Sequence, residues 1–278
     1  MLFKTLNNGI KIPMLGYGVF EIPDAECEEC VLQALECGYR HIDTAQIYGN
    51  EAGVGRAVEA CNLPRSELFV TSKVWVKQYG EGKTLKSIED SLKKLKTDYI
   101  DLMLLHRPFF DYIGGWKDLE KAYENGIVKA IGISNFNIKQ TAEILGIANI
   151  PPAVNQIELH PYFGQIKLKD YLAKNGIEVE AWYPLGHGNK KLLGDPLITK
   201  LAAKYSKTPS QIILRWHIHC GNIVFPKTRS ALHMRENLEI FSFGLSAEDI
   251  AAVSSLDKNK PLFSVPDWVQ KLALRFSK

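Results

Sequence analysis

Cysteine, long apolar runs and an excess of charge of either sign are all scarce in this 278-residue chain. The five cysteines are an odd number, sparse for the length, which suits free thiols in a reducing compartment better than a disulfide framework. No apolar run approaches the ~20 residues of a membrane span, and Met1-Leu2-Phe3-Lys4-Thr5 gives way to polar Asn7-Asn8-Gly9 before a signal-peptide core could form. A cytoplasmic address without a membrane partner is the expectation. The 34 Lys and Arg against 31 Asp and Glu leave a net charge of +3, too small for a nucleic-acid footprint unless it is locally concentrated. No Pro/Gly/Ser-rich linker or low-complexity tract divides the chain, so residues 1–278 are expected to form one domain. A hydrophobic content of 46% with 23% charged residues excludes disordered and collagen-like classes as well.

What is present is a βα repeat. Short apolar runs at Arg40 to Thr44, Leu68 to Val74, Ile100 to His106, Lys129 to Ser134, Ala153 to Leu159, Glu178 to Tyr183 and Ile223 to Pro226 alternate with helix-like stretches, and an earlier run lies near Leu15 to Val19. Gly38, Gly126 and Gly176 each close a periodic stretch before the next strand. About eight strands, each followed by a helix, predict an α/β fold of the (β/α)₈ TIM-barrel kind, because a doubly wound open sheet usually stops nearer six. Phe3 to Leu6 and Ile10 to Ile12, joined through Asn7-Asn8-Gly9, predict a β-hairpin placed as a plug over the barrel floor.

Three motifs look like chemistry and read more simply as packing. Cys27-Glu28-Glu29-Cys30 is a CxxC, but Asp24 stands as an N-cap before it and Cys27, Val31, Ala34 and Leu35 share one helical stripe, so Cys27 is expected to be a buried thiol. Gly53-Val54-Gly55-Arg56-Ala57-Val58 starts like a dinucleotide loop yet has Val58 where the last glycine belongs, and it lies in a helix-like segment. His217 and His219 are two apart on a predicted helix from Ser210 to Cys220, pointing to nearly opposite sides, which argues against a metal pair. No metal is expected.

A barrel of this kind carries its active site at the carboxyl ends of its strands. Asp43 and Tyr48 close one strand and its loop, Lys73 lies near the end of the next, His106 ends another, and Ser134, Asn135 and Gln156 continue the series. Singly, these could be a helix cap, a loop aromatic, a solvated tip and a packed histidine. Together they place an acid, a phenol, an ammonium and an imidazole on successive strand ends, the set that general-acid catalysis needs.

Gly38-Tyr39-Arg40-His41-Ile42-Asp43-Thr44-Ala45, followed by Tyr48-Gly49-Asn50-Glu51, resembles the signature of the aldo-keto reductases. The resemblance continues in order through Lys73-Val74-Trp75, Leu104-Leu105-His106, Gly132-Ile133-Ser134-Asn135-Phe136, Asn155-Gln156-Ile157-Glu158 and Phe225-Pro226-Lys227-Thr228. Short loops make the chain most similar to the compact microbial branch, with its diketo-gluconate reductase-like and prostaglandin F synthase-like members. The resemblance implies an NAD(P)H-dependent reductase of aldehydes, ketones or keto-sugars, with Asp43, Tyr48, Lys73 and His106 as its catalytic residues. Tyr48 would donate the proton, Lys73 would favour the phenolate, Asp43 would hold Lys73, and a neutral His106 would direct the carbonyl oxygen.

The same resemblance implies a site for NADP(H), with NAD(H) left open. Ser134, Asn135 and Gln156 would bind the carboxamide, Trp182 would stack on the nicotinamide, and Leu185 and Gly186 would line the pyrophosphate path. Lys227, Thr228 and Arg229 would take the 2′-phosphate, and Glu236 and Asn237 would lie near the adenine. His233 departs from the pattern, standing where relatives that use NADP place an arginine; an imidazole lacks the planar bidentate donor and fixed charge of a guanidinium, so the preference for NADPH should weaken. Arg107 also departs, following His106 where many members carry tryptophan. Facing the mouth beside Phe20 and Trp75, it would favour anionic or polyhydroxyl carbonyl substrates; facing away, it would be a surface ion-pair partner. A small-molecule carbonyl substrate and a monomer complete the expectation. The rival readings are a non-catalytic, redox-sensing or structural member of the same fold, and a lyase using Lys73 as a Schiff-base amine.

Overall fold

The computed structural model describes residues 1–262 together with Val265, Val269, Leu272 and Leu274. The strands are β1 (Phe3–Thr5), β2 (Lys11–Pro13), β3 (Tyr17–Gly18), β4 (His41–Asp43), β5 (Phe69–Val74), β6 (Leu102–Leu105), β7 (Ile131–Ser134), β8 (Val154–Glu158), β9 (Glu178–Trp182) and β10 (Ile223–Val224). β3 to β10 form one parallel sheet in chain order, and a parallel bridge between Leu15 and Val224 brings its first and last strands together. Gly16 N donates to Val224 O at 2.8 Å and Val224 N to Met14 O at 2.9 Å, so the ring closes as a (β/α)₈ barrel. The strands are shorter than the apolar runs because backbone geometry stops them early. Tyr183, for instance, has φ of 52°, a left-handed conformation that ends β9 at Trp182.

β1 and β2 pair antiparallel, and the hairpin does sit on the barrel floor. Lys4 pairs with Glu178 at 3.0 Å, Asn7 donates to Pro152 O at 3.0 Å, and Asn8 donates to Lys129 O at 2.9 Å. Leu6 and Ile12 are buried in one apolar cluster with Phe69, Leu102, Leu104 and Ile223, which fills the lower barrel. The second and larger cluster lies between the sheet and the helices, where alternate residues such as Ile42, Val70, Met103 and Ile133 turn outward.

Helix Asp24–Cys37 ends at Gly38, whose φ of 112° lets its N–H reach back to the last turn. Cys27 is buried on the expected stripe. The expected cap is not made: Pro23 holds the N-cap position, and Asp24 instead accepts from Gly53 N at 2.7 Å and pairs with Arg56 at 3.1 Å. Asp24 therefore bridges two helices. Gly53 and Gly55 belong to helix Glu51–Ala60 and serve close packing, since a Cβ on Gly55 would lie 2.1 Å from Lys94 O and one on Gly53 2.7 Å from the Cys27 Cβ. No helix among the described residues is long and apolar enough to cross a membrane.

Candidate active site

Side chains alternate along each strand, so the last inward-facing residues of several strands converge at one end of the barrel. Asp43 ends β4, Lys73 is next to last in β5, His106 follows β6, Ser134 ends β7, Gln156 lies in β8 and Trp182 ends β9. All six line or underlie one cleft of about 520 Å³. Tyr48 reaches it from the short helical turn Gln46–Tyr48, which Gln46 anchors by donating to Ser87 O at 3.1 Å and accepting from Trp75 N at 2.8 Å.

Lys73 is fully buried, and each of its three N–H bonds has a target. It donates to Asp43 Oδ1 at 2.7 Å, to Thr44 O at 2.8 Å and to Tyr48 Oη at 3.4 Å. Burial pulls the ammonium pKa down, but Asp43 and Tyr48 outweigh that, and the net direction is up. Lys73 stays charged. Asp43 is itself pushed up by burial, against the pull of Lys73 and of Gln156. Lys73 also acts on Tyr48 in the expected sense, favouring the phenolate, yet burial is the larger effect and leaves the hydroxyl above its ordinary pKa. His106 is held well below its usual range by burial, then by Lys73 and Arg107, and is a neutral imidazole at pH 7.

The polar wall is tied to itself. Ser134 Oγ donates to Gln156 O at 3.0 Å, Asn135 Nδ2 donates to His106 O at 3.1 Å, and Trp182 Nε1 donates to Asn135 Oδ1 at 2.8 Å. Asn135 holds φ of 64°, which turns its amide across the strand ends between His106 and Trp182. Phe20 and Trp75 form the apolar wall: Phe20 lies 4.9 Å from the Tyr48 ring and Trp75 5.2 Å from the His106 ring, centroid to centroid. Arg107 lines the cleft, its backbone clamped by Tyr79, whose hydroxyl accepts from Arg107 N and donates to Arg107 O at 3.1 Å each. Ile47, Tyr183 and His187 also line it. They stand on the short turns and loops that follow β4 and β9, and only the fold brings them to the cleft.

The residues expected around the nucleotide divide into two groups. Ser134, Asn135, Gln156, Trp182, Leu185 and Lys227 line the cleft; Gly186, with φ of 61°, is not among the lining residues but joins Leu185 and His187, which are. Thr228, Arg229, His233, Glu236 and Asn237 lie beyond the cleft. Lys227 faces Glu21 at 3.6 Å and Arg229 pairs with Glu26 at 2.8 Å. His233 is exposed on the first turn of helix Ala231–Leu238, with Arg235 exposed farther along it. Asn237 is buried on the same helix, where the Tyr39 hydroxyl donates to Met234 O at 3.2 Å. Exposed ion pairs such as those of Lys227 and Arg229 contribute only ~0–1 kcal/mol, so a phosphate dianion competes well for the same cations. Amides and an indole at one end with two cations at the other make a donor set that fits a phosphate-bearing dinucleotide with an amide-carrying ring.

His217 is buried in helix Pro209–His219, where it meets Pro184 O at 3.1 Å and Asn222 at 3.2 Å, while His219 contacts Arg215 and Leu245 N. The two histidines face different surroundings.

A barrel whose strand ends gather a buried Asp–Lys pair, a phenol and a neutral imidazole beside such a donor set defines a class of nicotinamide-dependent oxidoreductases. The sequence signature of the Aldo/keto reductase family matches residues 14–258, and the chain belongs to that family. It is 43% identical over 264 residues to the glyoxal reductase of Bacillus subtilis, covering 94% of this chain and 95% of that protein. The methylglyoxal reductase of Yersinia pestis is 42% identical over 265 residues, 94% of this chain and 95% of its own. Among solved structures, an aldo/keto reductase from Brucella melitensis aligns with a TM-score of 0.89 at 45% identity, over 92% of this chain and 99% of that one. A Bombyx mori aldo-keto reductase in complex with NADP aligns with a TM-score of 0.90 at 33% identity, over 96% of each chain. As a member of this family the protein is an oxidoreductase that acts on carbonyl compounds, and NADP is the nucleotide bound by its Bombyx mori relative.

Proposed function

We propose that the chain reduces small aldehydes, ketones and keto-sugars with Tyr48 as general acid. The observation that carries this reading is the Tyr48 hydroxyl, held by a charged, fully buried Lys73 in the floor of the cleft. When bound, a reduced nicotinamide supplies the hydride. Tyr48 Oη gives its proton to the carbonyl oxygen as negative charge develops there, and the Lys73 ammonium stabilises the phenolate left behind. Asp43 keeps Lys73 charged and aimed. His106, neutral, orients the carbonyl oxygen without competing as a proton donor. Trp182, Asn135, Ser134 and Gln156 orient the ring, with Leu185 and Gly186 along the pyrophosphate, Lys227, Thr228 and Arg229 at the 2′-phosphate, and Glu236 and Asn237 toward the adenine. A lyase reading would need Lys73 unpaired and deprotonated, and its pairing with Asp43 at 2.7 Å opposes that. Turnover of glyoxal, methylglyoxal, an aldose and a 2-oxo acid, followed by loss of NADPH absorbance, tests the assignment; no turnover of any of them overturns it.

The remaining expectations form part of the same reading. Residues 1–278 act as one domain, and the protein works as a cytoplasmic monomer, which accords with its free thiols. Arg107 lies near enough to draw down the pKa of both Tyr48 and His106, which supports its facing the substrate. Arg107→Ala should raise KM for an anionic 2-oxo acid at least ~10-fold while changing KM for a neutral aldehyde of similar size ~2-fold or less. Equal changes for both would remove Arg107 from substrate binding. His233→Arg should tighten NADPH by ~1–3 kcal/mol, the scale of a charge-assisted hydrogen bond, and leave NADH nearly unchanged. Equal responses to the two nucleotides would move His233 away from the 2′-phosphate.

A further inference from the structure

The inward face of β9 carries Glu178, Glu180 and Trp182 at successive depths: Glu178 at the floor against Lys4, Trp182 at the cleft, and Glu180 between them. Glu180 is fully buried and does not line the cleft. It pairs in register with Gln156 of β8, which does. Gln156 Nε2 donates to Glu180 Oε2 at 2.9 Å and to Asp43 Oδ2 at 2.9 Å. Two carboxyl oxygens at hydrogen-bond distance from one amide atom identify it as the nitrogen, and both of its N–H bonds are thereby spent. The amide oxygen is left for other contacts. An unbroken series then runs from Glu180 through Gln156, Asp43 and Lys73 to the Tyr48 hydroxyl.

We propose that Glu180 is a positioning residue for carbonyl reduction, which accepts from the Gln156 N–H and so fixes that amide from one layer below the cleft. The inference rests on the reductase reading above and adds a residue that touches neither substrate nor cofactor. Burial, then the neighbouring Asp43, pushes the Glu180 carboxyl up to about 8, against smaller pulls from Gln156 and Lys73. The charged groups facing it are Asp43 from β4 and Lys73 from β5; β8 presents the neutral Gln156, and β10 pairs with it through Ile223. Glu178 is engaged by Lys4, and His41 is engaged by Pro13 O and Thr71. Lys169, on helix Ile166–Lys174 outside β9, has its ammonium pKa lowered by burial, with Cys220 and Asp170 opposing and Lys4 adding to the fall.

The consequence is a balance of charge. With Glu180 neutral, one carboxylate, Asp43, faces one ammonium, Lys73. Above about pH 8 a second negative charge appears beside that pair, opposing phenolate formation on Tyr48 and so slowing proton donation. Glu180→Gln keeps an acceptor for Gln156 and cannot ionise; Glu180→Leu removes the acceptor.

The test combines nucleotide affinity, the pH profile and a stability measurement that needs no turnover. Glu180→Leu should weaken NADPH binding, read by quenching of tryptophan fluorescence, by ~10-fold, and Glu180→Gln should restore it to within ~3-fold of the natural protein. Glu180→Gln should also lose the alkaline fall in kcat centred near pH 8. An acid whose pKa is raised by folding stabilises the fold at low pH and loses that contribution as pH climbs from the unfolded carboxyl range through its folded pKa. The melting midpoint of Glu180→Gln relative to the natural protein should therefore rise between about pH 5 and pH 9. A pH-independent difference in midpoint, or NADPH binding to Glu180→Leu as tight as to the natural protein, overturns the proposal. If Glu180→Leu does not fold, the pH slope of the Gln variant decides alone. Failure of the reductase reading has a different signature: a natural protein that binds NADPH and shows the slope but reduces no carbonyl compound.

Discussion

Tyr48→Phe is expected to lose ~10²–10⁴-fold in kcat, the usual contribution of a positioned general acid, equal to ~3–5 kcal/mol of transition-state stabilisation. NADPH affinity should hardly change, because the phenyl ring keeps its place beside Phe20, 4.9 Å between centroids, and only one oxygen is removed. A second aromatic neighbour is the His106 ring at 5.8 Å, edge to face, which the substitution also leaves in place. Turnover and nucleotide binding are therefore separable in one variant. Stopped-flow reduction of methylglyoxal together with a fluorescence titration measures both. A Phe variant within ~10-fold of the natural turnover would remove Tyr48 from proton donation.

The second large effect is expected from Lys73→Met, and it should appear in stability as well as rate. Removing one partner of a buried ion pair typically costs ~3–5 kcal/mol, because the other charge remains without water or counter-charge. Here the stranded group is Asp43, which loses its strongest partner and keeps only the Gln156 N–H. Burial already raises this carboxyl, and losing Lys73 raises it further. An acid with a folded pKa above its unfolded value binds a proton more tightly when folded, so the stability deficit should shrink as pH falls toward the unfolded carboxylate range and widen above it. Chemical denaturation at several pH values measures this. The kinetic counterpart is a kcat loss comparable to that of Tyr48→Phe with an altered pH profile. A variant with unaltered pH dependence in both stability and rate would show that Lys73 does not act through its charge.

The sequence made the strand ends legible because each parallel strand of a barrel is an apolar run, and polar residues at or beside its carboxyl end stand out. Asp43, Lys73, His106 and Ser134 are visible in that way, and the structure brings them together. Other features need the third dimension. Glu178-Val179-Glu180-Ala181-Trp182 alternates like a strand with a wet face, but in β9 the polar set turns inward and Val179 and Ala181 pack toward the helices. Glu180 therefore passes for a solvated residue until the barrel closes around it. Asp24 followed the opposite course: its sequence position suggests a cap, and the neighbouring helix recruits it through Gly53 and Arg56. A short polar side chain near a helix start has several backbone donors within reach, and only tertiary packing selects among them.

The hairpin at the barrel floor has a bearing on traffic. Lys4, Asn7 and Asn8 tie it to the lower rim, and Leu6 and Ile12 drive into the space beneath the polar layer. Nothing passes through the bottom of such a barrel. Two ligands that meet at Tyr48 and Trp182 must therefore enter and leave by the same doorway, and the one seated deeper has to arrive first and depart last. The order in which partners come and go is then a matter of queueing, imposed by a stopper some distance from any reacting atom.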